Sequence, residues 1–302
     1  MPHRSGATVT RPYQWASIGF VAAYFCGIVA GHRLDLSHAG LAMLLIALYT
    51  INRRTRAFLT AFFPMLIYLL CYDTMHFLPR EWRLPVHVEI LYEWERALFG
   101  GLPHEFFRRH HWPTADVVAA VTYLLHFWAP IVFAVALWFR DREGQTARRF
   151  AWAFCGVNLA ALVIQLTFPT APPWYVNAYR FLPADPLLPG DPGALVRIDA
   201  LIGRPLFAKT YGMSAIVFGA MPSMHAGWPV LMYRFARPLG KVVRTTLIVY
   251  GLSMWWAALY LQHHYLIDLL VGGLMALIFA SFCLTYRSSV RYAYQSEWLP
   301  DR

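Results

Sequence analysis

The stretch Leu266-Ile-Asp-Leu-Leu-Val-Gly-Gly-Leu-Met-Ala-Leu-Ile-Phe-Ala-Ser-Phe-Cys-Leu-Thr-Tyr286 decides the fold. Asp268 is its one charged residue, and a helix needs roughly 20 apolar residues to cross a bilayer core about 30 Å thick. Stretches of similar character run 15–31, 57–78, 114–139, 150–168 and 245–261, with shorter ones at 38–51 and 223–236. The sequence therefore predicts an all-α polytopic membrane bundle of six to eight transmembrane helices, with eight preferred.

The composition supports a membrane protein and excludes a disordered chain. Hydrophobic residues make up 58% and charged residues 14% of the chain, against about 45–50% and about 25% in soluble domains. The first apolar stretch lacks a small-residue cleavage site, so we interpret it as a retained helix and not as a signal peptide. No internal repeat or second domain is visible, and we expect residues 1–302 to form a single integral membrane domain.

The four cysteines are predicted to be packing residues. Buried cysteine behaves as a small apolar side chain, no two of these residues form a Cys-x-x-Cys pair, and each lies in an apolar stretch. They are Cys26, Cys71, Cys155 and Cys283.

The net charge of +10 is explained by membrane topology. With a cytoplasmic N-terminus, more than half of the 26 Lys and Arg residues fall on cytoplasmic segments, where short loops are enriched in them. These residues are Arg4, Arg11, Arg53, Arg54, Arg56, Arg140, Arg142, Arg148, Arg149, Arg234, Arg237, Lys241, Arg244, Arg287, Arg291 and Arg302. The acidic residues on that side are Asp141, Glu143, Glu297 and Asp301.

This distribution predicts a multi-pass plasma-membrane protein with cytoplasmic N- and C-termini. It also predicts contact with anionic inner-leaflet lipid and no nucleic-acid partner. Two long segments then lie on the extracytoplasmic side. Residues 79–113 are expected to hold a helix along the interface around Leu91 to Phe107, and residues 169–220 to form an irregular cap. Loops of this length are usually functional.

Two short motifs carry residues suited to chemistry, Gly219-Ala-Met-Pro-Ser-Met-His-Ala-Gly227 and His263-His264-Tyr-Leu-Ile-Asp268. His264 and Asp268 are four residues apart, so on a helix they share a face. A carboxylate that accepts the Nδ1–H of an imidazole fixes its tautomer and leaves Nε2 as a nucleophile. Between the two motifs, one helix runs towards the cytoplasm, a short basic loop follows, and a second helix returns. Both motifs are therefore predicted to lie on the extracytoplasmic side.

Pro222 and Ser223 strengthen the first motif, because both residue types suit the start of a helix. The free N–H groups at a helix N-terminus attract anions such as phosphate. The sequence thus places a candidate phosphate site beside His225.

Together the motifs resemble the type 2 phosphatidic acid phosphatase (PAP2) superfamily. Pro222-Ser-Met-His225 and His264-x-x-x-Asp268 resemble its second and third signatures. The stretches Phe168-Pro-Thr-Ala-Pro-Pro-Trp-Tyr175 and Ala258-Leu-Tyr-Leu-Gln-His-His-Tyr-Leu-Ile-Asp268 are similar to the inositol phosphorylceramide synthase branch. So are Leu98-Phe-Gly-Gly-Leu-Pro103 and Tyr123-x-x-His126. The likeness covers a catalytic region of about residues 91–286.

The resemblance implies a role for each matching residue. His264 attacks a phosphorus atom and forms a phosphohistidine, and Asp268 stabilises its positive charge. His225 protonates the leaving oxygen and then deprotonates the incoming alcohol or water. The resemblance implies no metal and no other cofactor. The residues expected to bind substrate are Ser223, His263, Pro172, Trp174, Tyr175, His126, Arg204 and Lys209.

The sequence departs from the wider superfamily in its basic residues. The superfamily has Lys and Arg in its first motif and an Arg six residues before the third-motif His; here that position is Ala258 and the first motif is rich in Pro and Ala. A phosphoryl transition state still needs positive donors. The candidates are Arg180, Arg197, Arg204, Lys209 and His263.

The function that follows is transfer of a phosphoryl head group between membrane lipids. The resemblance implies phosphatidylinositol as donor and a ceramide-like or other lipid alcohol as acceptor. A phosphatase acting on a lipid phosphate or an isoprenyl (di)phosphate would use the same residues. A transporter with Asp73, His126 and Asp268 along a polar path is the alternative from another class. The sequence leaves the oligomeric state open.

Overall fold

The computed structural model describes residues 12–140 and 144–285. Tyr286 and some of the charges used for the topology prediction lie outside them, namely Arg4, Arg11, Asp141, Arg142, Glu143, Arg287, Arg291, Glu297, Asp301 and Arg302. The α-helices are α1 Pro12–Ala30, α2 Leu36–Thr50, α3 Arg53–Thr74, α4 Ile90–Phe99, α5 Pro103–Arg109, α6 Pro113–Arg140, α7 Gln145–Thr167, α8 Pro173–Tyr179, α9 Val196–Ile202, α10 Leu206–Gly212, α11 Met224–Phe235, α12 Gly240–Tyr260 and α13 Leu266–Thr285.

All eight predicted apolar stretches are helical, which confirms the all-α polytopic bundle. Among the described residues, five helices are long and apolar enough to cross a membrane: α3, α6, α7, α12 and α13. The apolar helices α1 and α2 are shorter. Helix α11 has 12 residues and is about 18 Å long at 1.5 Å per residue, which is less than the bilayer core of about 30 Å.

The chain divides into two compact units, Met1–Leu66 and Ile67–Arg302. The first unit holds α1, α2 and the beginning of α3. Helix α2 starts at a capping box, in which the Asp35 carboxylate accepts the N–H of His38 at 3.0 Å and His38 Nδ1 accepts the N–H of Asp35 at 3.3 Å. The second unit contains every motif residue singled out in the sequence.

Helix α11 occupies the centre of the second unit, packed against α13, α12, α7 and α6. Its inner side buries Leu231, Met232 and Phe235 completely. Its N-terminus meets α13 through backbone, because the N–H of Ser223 donates to the carbonyl of Asp268 at 3.0 Å. This approach requires glycine at position 272, where a Cβ would overlap the Ser223 carbonyl oxygen. The two motifs are therefore joined by main chain as well as by side chains.

The two long segments 79–113 and 169–220 differ from the prediction. The expected single helix at 91–107 is two helices, because Gly100 adopts a φ of 69° that ends α4 and Pro103 starts α5 after an extended Leu102. The expected irregular cap contains α8, α9 and α10. Local signals explain the difference: Pro173 opens α8, and the Asp199 carboxylate accepts the N–H of Phe207 at 2.8 Å at the start of α10.

Candidate active site

The centre of the site is the pair His264 and Asp268. The Nδ1 atom of His264 lies 3.3 Å from Oδ2 of Asp268, and the N–H of Tyr265 donates to the same oxygen at 3.2 Å. His264 lies in the turn before α13, and Asp268 in the first turn of that helix is fully buried. The carboxylate therefore selects the Nδ1–H tautomer of His264 and leaves its Nε2 with a free electron pair.

His225 completes the pair from the first turn of α11. Its Nδ1 lies 3.1 Å from Nε2 of His264 and 3.3 Å from the hydroxyl of Tyr123 on α6. The structure thus brings together His225, His264 and Asp268, the three residues to which the sequence assigns catalysis. The two imidazoles thus face each other through Nδ1 of His225 and Nε2 of His264.

A column of six parallel aromatic rings runs through the site. Neighbouring ring centroids are separated by 4.7, 5.2, 4.2, 4.0 and 3.9 Å, and adjacent planes are tilted by 28° or less. In order, the rings belong to Tyr211, His263, Tyr123, His225, His126 and Trp228. Because stacked rings restrain one another, this column fixes the planes of three imidazoles at the site.

Four buried polar atoms around the histidines have no hydrogen-bond partner. They are Ser223 Oγ, His126 Nδ1, His263 Nε2 and Asp268 Oδ1. Leaving a buried polar group unpaired costs about 1–3 kcal/mol, so such atoms point to a polar ligand. Burial, and next the field of His264, lower the pKa of His263 to about 3. His263 is therefore neutral at physiological pH and offers a hydrogen bond, not the positive charge suggested from the sequence.

The predicted basic residues do not converge on this site. The Nε–H of Arg197 on α9 donates to Oδ1 of Asp116 on α6 at 2.8 Å, and its guanidinium lies 5.3 Å from the centre of the Tyr260 ring. The other candidates, Arg180, Arg204 and Lys209, are exposed. Within the described part of the chain, no hydrogen bond or ion pair joins any of these four residues to a histidine of the ring column. The described residues also contain no group of three or more His, Cys, Asp or Glu side chains that could hold a metal ion.

Pro172, Trp174 and Tyr175 are buried, and the two aromatic residues belong to one apolar cluster. Trp174 and Tyr175 pack with Phe218, and the hydroxyl of Tyr175 donates to the carbonyl of Leu182 at 3.2 Å. One backbone bond connects this cluster to the α12–α13 turn, from the N–H of Trp174 to the carbonyl of Gln262 at 2.9 Å. These contacts are packing contacts, so substrate binding by the three residues stays a prediction.

Gln262 is a positioning residue that the sequence reasoning missed. It adopts a φ of 63° just before the two histidines. Its Nε2 donates to the carbonyl of His104 at 2.8 Å, and its Oε1 accepts from Asn177 Nδ2 at 3.0 Å. Gln262 thereby connects α5 and α8 to the turn that carries His264. In the sequence, only the position of Gln262 next to the third motif indicated such a role.

A second missed residue, Glu95 on α4, holds the start of α13. It is fully buried; its Oε2 accepts the N–H of Ile267 at 3.2 Å and its Oε1 lies 3.4 Å from His104 Nδ1. A carboxylate at a helix N-terminus is stabilised by the helix dipole. Glu95 therefore stabilises the first turn of α13, which carries Asp268. The two residues are far apart in the chain, so no sequence motif indicated this contact.

Comparison with known proteins gives a consistent assignment. The model of the PAP2 superfamily matches residues 89–283. The chain is 36% identical over 257 residues to the phosphoinositol dihydroceramide synthase of Bacteroides thetaiotaomicron, covering 81% of this chain and 83% of that protein. It is 33% identical to the inositol phosphorylceramide synthase catalytic subunit of Schizosaccharomyces pombe, covering 76% of this chain and 54% of that protein.

The inositol phosphorylceramide synthase of Candida albicans is also 33% identical, over 76% of this chain and 48% of that protein. The chain thus spans most of the bacterial relative and about half of each fungal one. No solved structure matches it. On the motifs, the site geometry and these likenesses, the chain belongs to the PAP2 superfamily, in the inositol phosphorylceramide synthase-like branch, and is a membrane lipid phosphotransferase.

Proposed function

We propose that this enzyme transfers inositol phosphate from phosphatidylinositol to a ceramide-like lipid alcohol through a phosphohistidine at His264. The observation that carries the proposal is the pair of hydrogen bonds on the His264 ring, Nδ1 to Asp268 and Nε2 to His225. The Bacteroides relative is named a phosphoinositol dihydroceramide synthase, which supports this donor and acceptor class.

In the first step, the Nε2 electron pair of His264 attacks the phosphorus of phosphatidylinositol. The bond from phosphorus to the glycerol oxygen breaks, and that oxygen takes a proton from His225 and leaves as diacylglycerol. Asp268 stabilises the positive charge that develops on the His264 ring. Covalent catalysis of this kind divides one difficult displacement into two easier ones.

In the second step, His225 removes the hydroxyl proton of the acceptor, whose oxygen attacks the same phosphorus. The P–N bond breaks, and the electron pair returns to Nε2 of His264. In-line displacement sets the leaving oxygen opposite the attacking atom, whereas His225 Nδ1 lies 3.1 Å from Nε2. The head group must therefore enter between the two imidazoles and separate them.

The unpaired atoms of Ser223, His126 and His263 are the proposed contacts of the head group. Each is buried and can form a hydrogen bond with a phosphate oxygen or an inositol hydroxyl. Arg204 and Lys209 are exposed on the cap. For these two residues we propose a role in attracting the anionic donor and not in holding it during reaction.

We further propose that the site faces the extracytoplasmic side of the plasma membrane, with both termini in the cytoplasm. The first turns of α3, α7 and α12 carry Arg53, Arg148 and Lys241 with their basic neighbours. In the second unit, Nε of Arg140 at the end of α6 donates to the carbonyl of Pro238 at 3.3 Å, beyond the C-terminus of α11 and thus at the opposite end of that helix from His225. Such basic loops favour the cytoplasmic side.

The test is incubation of the purified enzyme with inositol-labelled phosphatidylinositol, with and without ceramide or dihydroceramide, followed by mass spectrometry. The expected product is an inositol phosphoryl ester of the added alcohol, with an acid-labile labelled enzyme intermediate. His264→Ala should abolish both product and intermediate, while His111→Ala, an exposed histidine, should retain both.

Two outcomes contradict the proposal. A labelled intermediate that persists in His264→Ala would exclude this residue as the nucleophile. Free inositol phosphate as the main product even with added lipid alcohols would identify water as the acceptor, and the enzyme as a hydrolase of the phosphodiester.

A further inference from the structure

We infer that Tyr123 is a positioning residue for His225, held in turn by Tyr211. The inference rests on the proposed function, because it assigns the group that orients the acid–base residue of that reaction. It assigns a role to the phenol hydroxyl of Tyr123 on α6, which contacts His225 through both its hydroxyl and its ring.

The contacts of His225 define where its protons lie. Because Asp268 holds the Nδ1–H of His264, Nε2 of His264 is an acceptor, and its 3.1 Å contact requires a proton on Nδ1 of His225. The same Nδ1–H faces the hydroxyl oxygen of Tyr123 at 3.3 Å, which accepts it. Tyr211 lies close to Tyr123, and the two tyrosine rings stack on opposite faces of His263.

When the head group enters, His225 loses its contact with His264 and keeps its contact with Tyr123. The phosphoryl group separates His225 from His264, so Nδ1 of His225 loses its histidine partner. The hydroxyl of Tyr123 on α6 then remains as the hydrogen-bond partner of the His225 ring. It holds this ring in place while His225 gives and regains its proton.

Stacking adds a second constraint on the same ring. The ring of Tyr123 lies 4.2 Å from that of His225 with an interplanar angle of 14°, and His126 covers the opposite face at 4.0 Å. Tyr211 reaches the column through His263 at 4.7 Å. Removing the hydroxyl of Tyr123 as Tyr123→Phe therefore preserves the stack and deletes the hydrogen bond alone.

The experiment compares two donors that differ in their need for an acid. Diacylglycerol requires a proton to leave, whereas nitrophenolate leaves without one; the second probe is the 4-nitrophenyl ester of inositol 1-phosphate. With phosphatidylinositol, Tyr123→Phe should lower kcat by about tenfold to a hundredfold, within the 10²–10⁴-fold that acid–base help contributes, with KM unchanged. The pre-steady-state burst of nitrophenol from the second donor should match the unmodified enzyme.

Matched variants make the result specific. Tyr211→Phe should lower kcat on phosphatidylinositol by a smaller factor and leave the nitrophenol burst unchanged. Tyr250→Phe removes a buried hydroxyl without a partner on α12 and should leave both donors unaffected. Equal losses on the two donors, or no loss on phosphatidylinositol, would overturn the inference.

The proposed function is tested separately within the same series. His264→Ala must lose the nitrophenol burst, and His225→Ala must lose activity on phosphatidylinositol far more than on the nitrophenyl ester. A failure of either variant would refute the proposed function, whatever Tyr123→Phe shows. If both behave as stated, the result for Tyr123→Phe concerns positioning alone.

Discussion

The Asp268 carboxylate shows how single residues control this site. One of its oxygens accepts from both the His264 ring and the N–H of Tyr265, at 3.3 and 3.2 Å, while the other has no partner. A buried carboxylate with so few donors is poorly stabilised on its own. The Asp268 carboxylate is stabilised most when the His264 ring becomes positively charged, which is the charge state of a phosphohistidine with a protonated Nδ1.

Asp268→Asn should therefore abolish most of the activity while preserving the fold. The amide oxygen cannot replace the charge, and the competing Nδ2–H₂ group favours the wrong tautomer of His264. The corresponding exchange in a serine protease triad costs about 10⁴-fold in kcat, and we expect a loss on the order of 10³-fold or more in transfer to the lipid alcohol. Asp185→Asn, at an exposed carboxylate paired with Arg80, serves as the control. A loss below about tenfold would show that Asp268 does not set the tautomer.

Between elements, the contact of α11 with α13 is the one on which the geometry of the site depends. The backbone bond from Ser223 to Asp268 and the close approach at Gly272 hold the two histidine-bearing segments at a fixed distance. Gly227 contributes from the other helix, where a Cβ would lie 3.0 Å from the Gly272 carbonyl oxygen. Small residues at helix crossings allow this approach in membrane proteins.

Gly272→Ala tests this contact. The added methyl overlaps the Ser223 carbonyl, so the helices must separate, at a cost of about 1–3 kcal/mol for an overpacked core. We expect a lower thermal unfolding midpoint in detergent together with reduced transferase activity. Gly40→Ala on α2 meets no atom within 4 Å and should be neutral or stabilising by up to about 1 kcal/mol. Wild-type behaviour of Gly272→Ala in both assays would refute the argument.

Arg197 on α9 forms an ion pair with Asp116 on α6. This contact predicts that Arg197 stabilises the fold and does not bind substrate. Its contacts with Asp116 and Tyr260 predict that Arg197→Met destabilises the fold by roughly 3 kcal/mol, as expected when one member of a buried pair is removed. The KM for phosphatidylinositol should stay unchanged in the folded fraction. The double variant with Asp116→Asn should recover part of the stability, and Arg96→Met, at an exposed arginine, should have no effect. A raised KM with unchanged stability would instead make Arg197 a phosphate ligand.

For the whole molecule, the open question is which membrane face bears the site. Lys241 is exposed at the basic end of α12, and Leu187 is exposed on the cap segment that follows α8. The proposed topology assigns these two positions to opposite sides.

The prediction is tested with single cysteines in a variant whose four native cysteines are replaced by alanine. In right-side-out vesicles, a membrane-impermeant maleimide should label Leu187→Cys directly and Lys241→Cys only after detergent is added. Labelling in the reverse order would place the site on the cytoplasmic side. Transferase activity measured in both variants confirms that each is folded.

Much of this protein follows from the sequence by itself. Composition and stretch length were sufficient for the helical membrane bundle, because a bilayer demands long apolar helices whatever their arrangement. The spacing of His264 and Asp268, and the helix–loop–helix between His225 and His264, predicted which side chains meet. These are local or nearly local signals, since a four-residue step and a two-helix hairpin determine their own geometry.

The tertiary structure alone decided the partners that lie far apart in the chain. Arg197 donates a hydrogen bond to Asp116, 81 residues away. The N–H of Ile267 donates to Glu95, 172 residues away. Tyr211 reaches the ring column from a cap segment that the sequence indicated only as irregular. Such pairings depend on which helix faces pack together, and many faces are compatible with the same apolar pattern. Hydropathy and spacing therefore specify the helices and the reacting residues, whereas packing specifies what surrounds and orients them.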